Sequence, residues 1–178
     1  MMDLAKLIPR LATSGRIPVS GVPEGLDALL LPALAQHLTT TALLHVCVDD
    51  QRLSILAEQV AFFTPELEIL RYPAWDCLPY DRVSPSADVL ARRLSTLSEL
   101  NKPTTRPRLV LATVNAVLQR VVPRDVIGSS SFTASAGQRV NSNALTAFLG
   151  ANGFSRSSTV VDPGDFAIRG GIIDIFPP

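Results

Sequence analysis

The 178-residue chain has 47% hydrophobic and 18% charged residues and a formal net charge of zero, the make-up of a globular protein able to bury a real core. No apolar run reaches membrane-spanning length, and the first residues lack the pattern of a secretion leader. Cys47 and Cys77 are too few and too far apart for a disulfide framework or a metal knuckle, so the expected setting is the cytoplasm, with reduced thiols and no membrane contact.

In chain order, Leu4–Leu11 opens as an apolar helix, followed by a Gly/Ser/Pro break. Gly25–Leu38 reads as a helix that Pro32 kinks. Leu43-Leu44-His45-Val46-Cys47-Val48 is a nearly unbroken apolar run, which predicts a strand buried on both faces of a parallel sheet. Asp49-Asp50 then caps a helix over Arg52–Phe63. Leu67–Tyr72 is the next strand, Ala87–Leu100 the next helix, Arg108–Ala112 a third strand and Val114–Gln119 a short helix. Strands alternating with helices imply an α/β fold with an open, mostly parallel sheet and flanking helices.

After Pro123 the texture changes to a smaller α+β unit, giving expected domains at 1–122 and 123–178. Ser129–Ala136 reads as a polar-edged strand and Gly137-Gln138-Arg139 as a turn. Asn143 is the expected cap of a helix over Ala144–Leu149, ended by Gly150 and Gly153. Ser157–Val161 and Asp165–Phe176 read as two strands joined by the turn Asp162-Pro163-Gly164-Asp165, and hence antiparallel. Charge follows the same division. Residues 1–101 carry 8 Lys/Arg against 12 Asp/Glu, and residues 102–178 carry 8 against 4. The basic excess is nearly all Arg, which suits bidentate contacts, but it forms no dense stripe of the kind that grips nucleic acid.

The most distinctive segment is Tyr72-Pro73-Ala74-Trp75-Asp76-Cys77-Leu78-Pro79-Tyr80-Asp81-Arg82-Val83-Ser84-Pro85-Ser86, which holds the only Trp and both Tyr residues. Together with Ala91-Arg92-Arg93-Leu94-Ser95-Thr96-Leu97 it closely resembles the N-terminal region of the bacterial transcription-repair coupling factors (Mfd), which is related to the excision-repair protein UvrB. A second block extends the resemblance. It comprises Gly137-Gln138-Arg139-Val140, Gly153-Phe154-Ser155-Arg156 and Asp165-Phe166-Ala167-Ile168-Arg169-Gly170-Gly171, ending on Ile172-Ile173-Asp174-Ile175-Phe176-Pro177.

The resemblance implies a degenerate P-loop-NTPase-like first domain. Gly21-Val22-Pro23-Glu24-Gly25-Leu26-Asp27 stands where UvrB relatives have a phosphate loop, but without its Lys or hydroxyl. Gly21 and Gly25 are therefore expected to mark a non-functional loop, with no ATP and no other cofactor bound. The aromatic hairpin with which UvrB clamps damaged DNA has no room between Ser86 and Arg108. Residue chemistry agrees. His37 and His45 stand alone, Cys77 follows an acid, and Ser129–Ser131 lack a nucleophile setting. No catalytic residue and no metal ligand is expected. Trp75 and Tyr80 are expected to pack the loop, and Asp81, Arg82 and Arg93 to order it.

What the resemblance leaves is a surface for protein. In the family the second domain docks UvrA through arginines on its sheet, which by motif position fall on Arg156 and Arg169, with Phe154 and Phe166 as aromatic neighbours. The competing expectation for Arg169 is a local salt bridge to Asp165 or Asp174. The implied function is non-catalytic recruitment of UvrA. The RNA-polymerase-binding and DNA-translocating, ATP-driven parts of the intact family protein are not encoded here. The alternatives are a UvrB-type nucleotide- or DNA-binding enzyme module with altered loops, or a stand-alone regulatory domain. The family pattern also implies further strands after Phe176, so the second domain is expected to be incomplete, with a sheet edge open to dimer formation.

Overall fold

The computed structural model describes residues 4–38, 42–78, 82–129 and 132–177. They form two compact units, Met1–Val121 and Val122–Pro178. Tyr80, Asp81, Ser130 and Ser131 lie outside the described residues.

The first unit runs α1 (Leu4–Leu11), α2 (Asp27–Leu38), β1 (Ala42–Cys47), α3 (Asp50–Phe63), β2 (Glu68–Tyr72), α4 (Ala87–Asn101), β3 (Arg108–Thr113) and α5 (Val114–Leu118). Its sheet is parallel, in the order β1-β3-β2. Every β3 residue is buried, as a central parallel strand requires. Leu109 and Leu111 face a core built with Leu53, Leu56 and Val60 of α3, while Val110 and Ala112 pack with Tyr72, Leu97 and Leu100 on the other side. Arg108 ties the start of β3 to its neighbours. Its Nε donates to Glu68 Oε2 at 2.7 Å and its Nη1 to the Glu99 carbonyl at 2.7 Å. Asp49 caps α3 by accepting from the Arg52 amide at 2.7 Å.

β1 differs from expectation. Its burial alternates, leaving Leu44 53% and Val46 40% exposed, because β1 is an edge strand and α2 and α3 cover only one face there. An apolar run records that a strand is buried somewhere, not on how many sides.

His45 faces the covered side. Burial lowers its pKa below 6.5, opposed by nearby Asp27 and reinforced by Arg52. A histidine that protonates more readily unfolded than folded favours the native state fully above its unfolded value and loses that contribution as pH falls toward the folded one. Unfolding midpoints should therefore drop below about pH 6.5. His45→Gln should flatten that slope in urea titrations across pH 5–7.5.

The second unit runs α6 (Arg124–Ser129), α7 (Ser142–Ala151), β4 (Ser155–Arg156), β5 (Asp165–Arg169) and β6 (Ile172–Ile175). Four expectations are corrected here. The described residues 132–136 form no strand; Phe132 instead stacks on Phe148 of α7 with ring centroids 5.5 Å apart. The Ser135 backbone is taken up by a turn instead, its carbonyl accepting from the Gln138 amide at 3.0 Å and its amide donating to Gln138 Oε1 at 3.2 Å. The cap of α7 is Asn141 rather than Asn143, its Oδ1 accepting from the amides of Asn143 and Ala144 at 3.0 and 3.1 Å, and Gly150 sits inside the helix. The strand expected over Ser157–Val161 is instead the two-residue β4 just before it, residues 157–161 forming no strand, and β4 runs parallel to β5, not antiparallel. The turn at Asp162–Asp165 does form, with the Asp165 amide donating to the Asp162 carbonyl at 3.0 Å. A bend at residues 158–159 precedes this turn, and parallel pairing requires the chain to reverse twice between the two strands.

Lastly, Asp165–Phe176 is a hairpin, not one strand. Gly170 (φ 53°) and Gly171 (φ 91°) form a turn that needs positive φ at both central positions, and β5 and β6 pair antiparallel across it. Gly171→Ala should cost about 1–2 kcal/mol by chemical denaturation, since an L side chain resists that conformation.

Candidate protein-docking site

The Pro-rich aromatic segment is a structural lock. Arg93 of α4 is only 2% exposed, and its guanidinium lies 4.3 Å from the Tyr72 ring centroid and 4.1 Å from that of Trp75. Nη1 donates to the Pro73 carbonyl at 2.6 Å and to Gln119 Oε1 at 3.0 Å, and the same oxygen accepts from the Trp75 amide at 2.9 Å. Among the described residues, the buried Arg93 Nη2 and Tyr72 Oη make no hydrogen bond of ordinary geometry, although the guanidinium lies close enough to the hydroxyl to offset part of the burial that raises the Tyr72 pKa. Further along, Asp76 accepts from the Ser86 amide at 3.1 Å, and its hydrogen bonds to the Ser86 side chain and then to that amide hold its carboxyl below the ordinary value. Ser86 in turn caps α4. The loop is thus pinned at both ends to the helix that follows it.

The Gly21–Asp27 stretch turns tightly into α2, with Gly21 at φ 69° and Gly25 at φ 88°. At the amino end of α2 stands the Asp27 carboxylate, which accepts from the Ala28 amide at 3.1 Å and is ion-paired with Arg52. An incoming anion there would meet a carboxylate. Among the described residues no three His, Cys, Asp or Glu side chains gather as a metal-binding group, and no helix is long and apolar enough to cross a membrane.

The β4–β5–β6 sheet carries the arginines singled out in the sequence. A Schellman-type stop of α7 feeds it. Gly153 takes φ 83° and the Phe154 amide donates to the Leu149 carbonyl at 3.0 Å, turning the chain straight into β4. Register and the two-residue period of a strand then sort the side chains. Arg156 aligns with Phe166, while Arg169 aligns with Ile172. Phe166 and Arg169 are three residues apart, so the two arginines project from opposite faces of the sheet.

Phe166 is 3% exposed and belongs to the core, so it has no ring to offer a partner; Phe154 is half-buried. On the other face stand Arg169, Ile172, Asp174 and Phe176. Arg169 donates to Asp174 at 2.7 Å across the hairpin, in an ion pair whose side chains stay 60% and 43% exposed. Ile172, directly opposite Arg169, is 64% exposed, and Phe176 is 43% exposed. Such a flat apolar surface around one arginine has the composition of a binding hot spot. Ile172 and Phe176 were not singled out in the sequence, although a Gly-Gly hairpin places the residues flanking it directly opposite each other.

The chain is thus a small parallel α/β sheet followed by an α+β unit that exposes an apolar face around Arg169, the make-up of a protein-binding surface. Residues 132–178 match the UvrB interaction domain. The transcription-repair-coupling factor of Rickettsia bellii is 33% identical over 135 residues, covering 75% of this chain and 12% of that protein. Those of Escherichia coli and Myxococcus xanthus are 32% identical over 74% of the chain and 31% identical over 98% of it. The chain belongs to the transcription-repair coupling factor family, as its N-terminal UvrB-like region. It spans 11–15% of the length of these relatives.

Proposed function

We propose that this chain is a recruitment module that binds UvrA and so brings nucleotide excision repair to a stalled RNA polymerase. The observation that carries the reading is the exposed Arg169–Ile172–Phe176 face, which lies within the stretch matching the UvrB interaction domain. Arg169 supplies the bidentate donor, and Ile172 and Phe176 the apolar area around it. Arg156 contributes a second contact from the far side of the edge strand β4, which requires UvrA to wrap that edge.

In this reading the first unit is a degenerate nucleotide-binding fold that acts as a scaffold without cofactor, because Asp27 occupies the place where a phosphate would be held. RNA polymerase and double-stranded DNA are contacted by other parts of the intact family protein. Two binding experiments test the reading together. UvrA should co-elute with the purified chain, and labelled ATP should not bind it. ATP binding without UvrA binding would favour a UvrB-type nucleotide module instead.

A further inference from the structure

Among the described residues the parallel sheet has no strand beyond β2, and that edge lies in a groove. A cavity of about 680 Å³ borders it. Its lining takes Ile69, Leu70 and Arg71 consecutively from β2, with walls from α3 and α4. Successive strand residues point to opposite faces, so three in a row border one cavity only along the backbone edge. The hydroxyl of Thr96 donates to the Arg71 carbonyl at 2.7 Å, which means the Arg71 peptide points away from β3 and into the groove. By alternation the Ile69 peptide points the same way. Among the described residues the Ile69 N–H and C=O and the Arg71 N–H thus form a short template without backbone partners between two helices.

Charge selects what enters. Arg71 is exposed and makes no ion pair or hydrogen bond among the described residues. Arg92, also lining the groove, pairs only with Asp88 one turn away on the helix surface, where both side chains are about two-thirds exposed and the pair is weak. Of the two acids in the lining, Glu99 is already paired with Lys102 at 2.6 Å and lies toward the amino end of β2, where its carbonyl meets Arg108. Asp50, the first residue of α3, is the other. The carboxyl end of β2 therefore holds two available guanidiniums against one carboxylate.

We propose that this groove accepts an extended segment of a partner protein as a fourth strand, with an acidic side chain placed between Arg71 and Arg92. Main-chain pairing supplies the affinity and the arginines the selectivity, the usual division of labour in strand addition. The site is independent of the Arg169 face.

The test is an amide NMR titration of the whole chain with the blocked hexapeptide Thr-Val-Glu-Val-Thr-Val and its Lys-for-Glu counterpart. The expected result is a shift and slowed exchange at the Ile69 and Arg71 amides, at least about tenfold tighter for the Glu peptide. Arg71→Ala should erase that preference. Ser95→Trp, at an exposed α4 position lining the groove, should block both peptides while β3 amides keep their protection. No shift at Ile69 and Arg71 with millimolar Glu peptide, equal binding of the Lys peptide, or unchanged binding to the Ser95→Trp variant would overturn the proposal.

Discussion

Arg93→Ala should destabilise the first unit by about 3 kcal/mol, lowering its melting temperature by roughly 10 °C. The substitution removes two hydrogen bonds from a charged donor, at about 1.5–3 kcal/mol for each, and leaves the part-buried Pro73 carbonyl and Gln119 Oε1 with fewer partners. It also empties the space between the Tyr72 and Trp75 rings, forfeiting cation–π attraction worth about 1–2 kcal/mol when desolvated. Recovered hydration of the guanidinium offsets part of the total. Arg93→Lys should rescue little, because an ammonium cannot stack its plane between two rings while keeping both acceptors. Tyr72→Phe is the contrasting control. It deletes a buried hydroxyl that makes no hydrogen bond of ordinary geometry among the described residues and interacts only loosely with Arg93, so stability should change by less than about 1 kcal/mol. Trp75 is the sole Trp and sits in the lock, so its fluorescence reports all three variants directly. An Arg93→Ala protein as stable as the parent would show that the loop is held by something other than this residue.

Arg169→Ala should weaken UvrA binding by about 2–3 kcal/mol, or about 30- to 150-fold, if the exposed hairpin face is the docking surface. Ile172→Glu should do at least as much, by placing a desolvated charge at the centre of the contact. Neither should disturb folding, because Arg169 contributes only an exposed ion pair and Ile172 is already 64% exposed. Arg156→Ala should cost less. Since Arg156 and Arg169 project from opposite faces, their losses should add to within about 0.5 kcal/mol rather than couple. Strong non-additivity would mean that the two arginines meet one partner group, contrary to this register. Phe166→Ala, by contrast, should unfold the second unit, since that ring is in its core.

The sequence carried the alternating elements of the first unit because their periods are local. A 3.6-residue apolar pattern with Asp49 or Ser86 ahead of it leaves little choice but a helix. The importance of the Pro-rich aromatic loop was legible from composition, and Arg93 could be assigned an ordering role. Its position between two rings was not legible, because Tyr72, Trp75 and Gln119 meet only after β2, α4 and β3 have packed. The second unit was harder for a definite reason. The direction of β4 against β5 depends on whether residues 157–164 reverse the chain once or twice, and only one of the two bends has a strong turn signature. That bend sets the direction and register of β4, and the register, which the sequence reading left open, puts Arg156 on the Phe166 face, away from Arg169. The Gly170-Gly171 turn was readable, but the apolar residues after it imitate a continuing strand. Recognising it would have placed Ile172 opposite Arg169 and pointed to the docking face from sequence alone.

The central claim is that this chain by itself is enough to capture UvrA. The most direct test is calorimetric titration of UvrA from the same source into the intact 178-residue chain, alongside the Arg169→Ala variant. Saturable binding by the parent chain that falls at least 30-fold in the variant is the expected result. Absence of binding by the folded parent, or equal binding by both proteins, would contradict recruitment through this face.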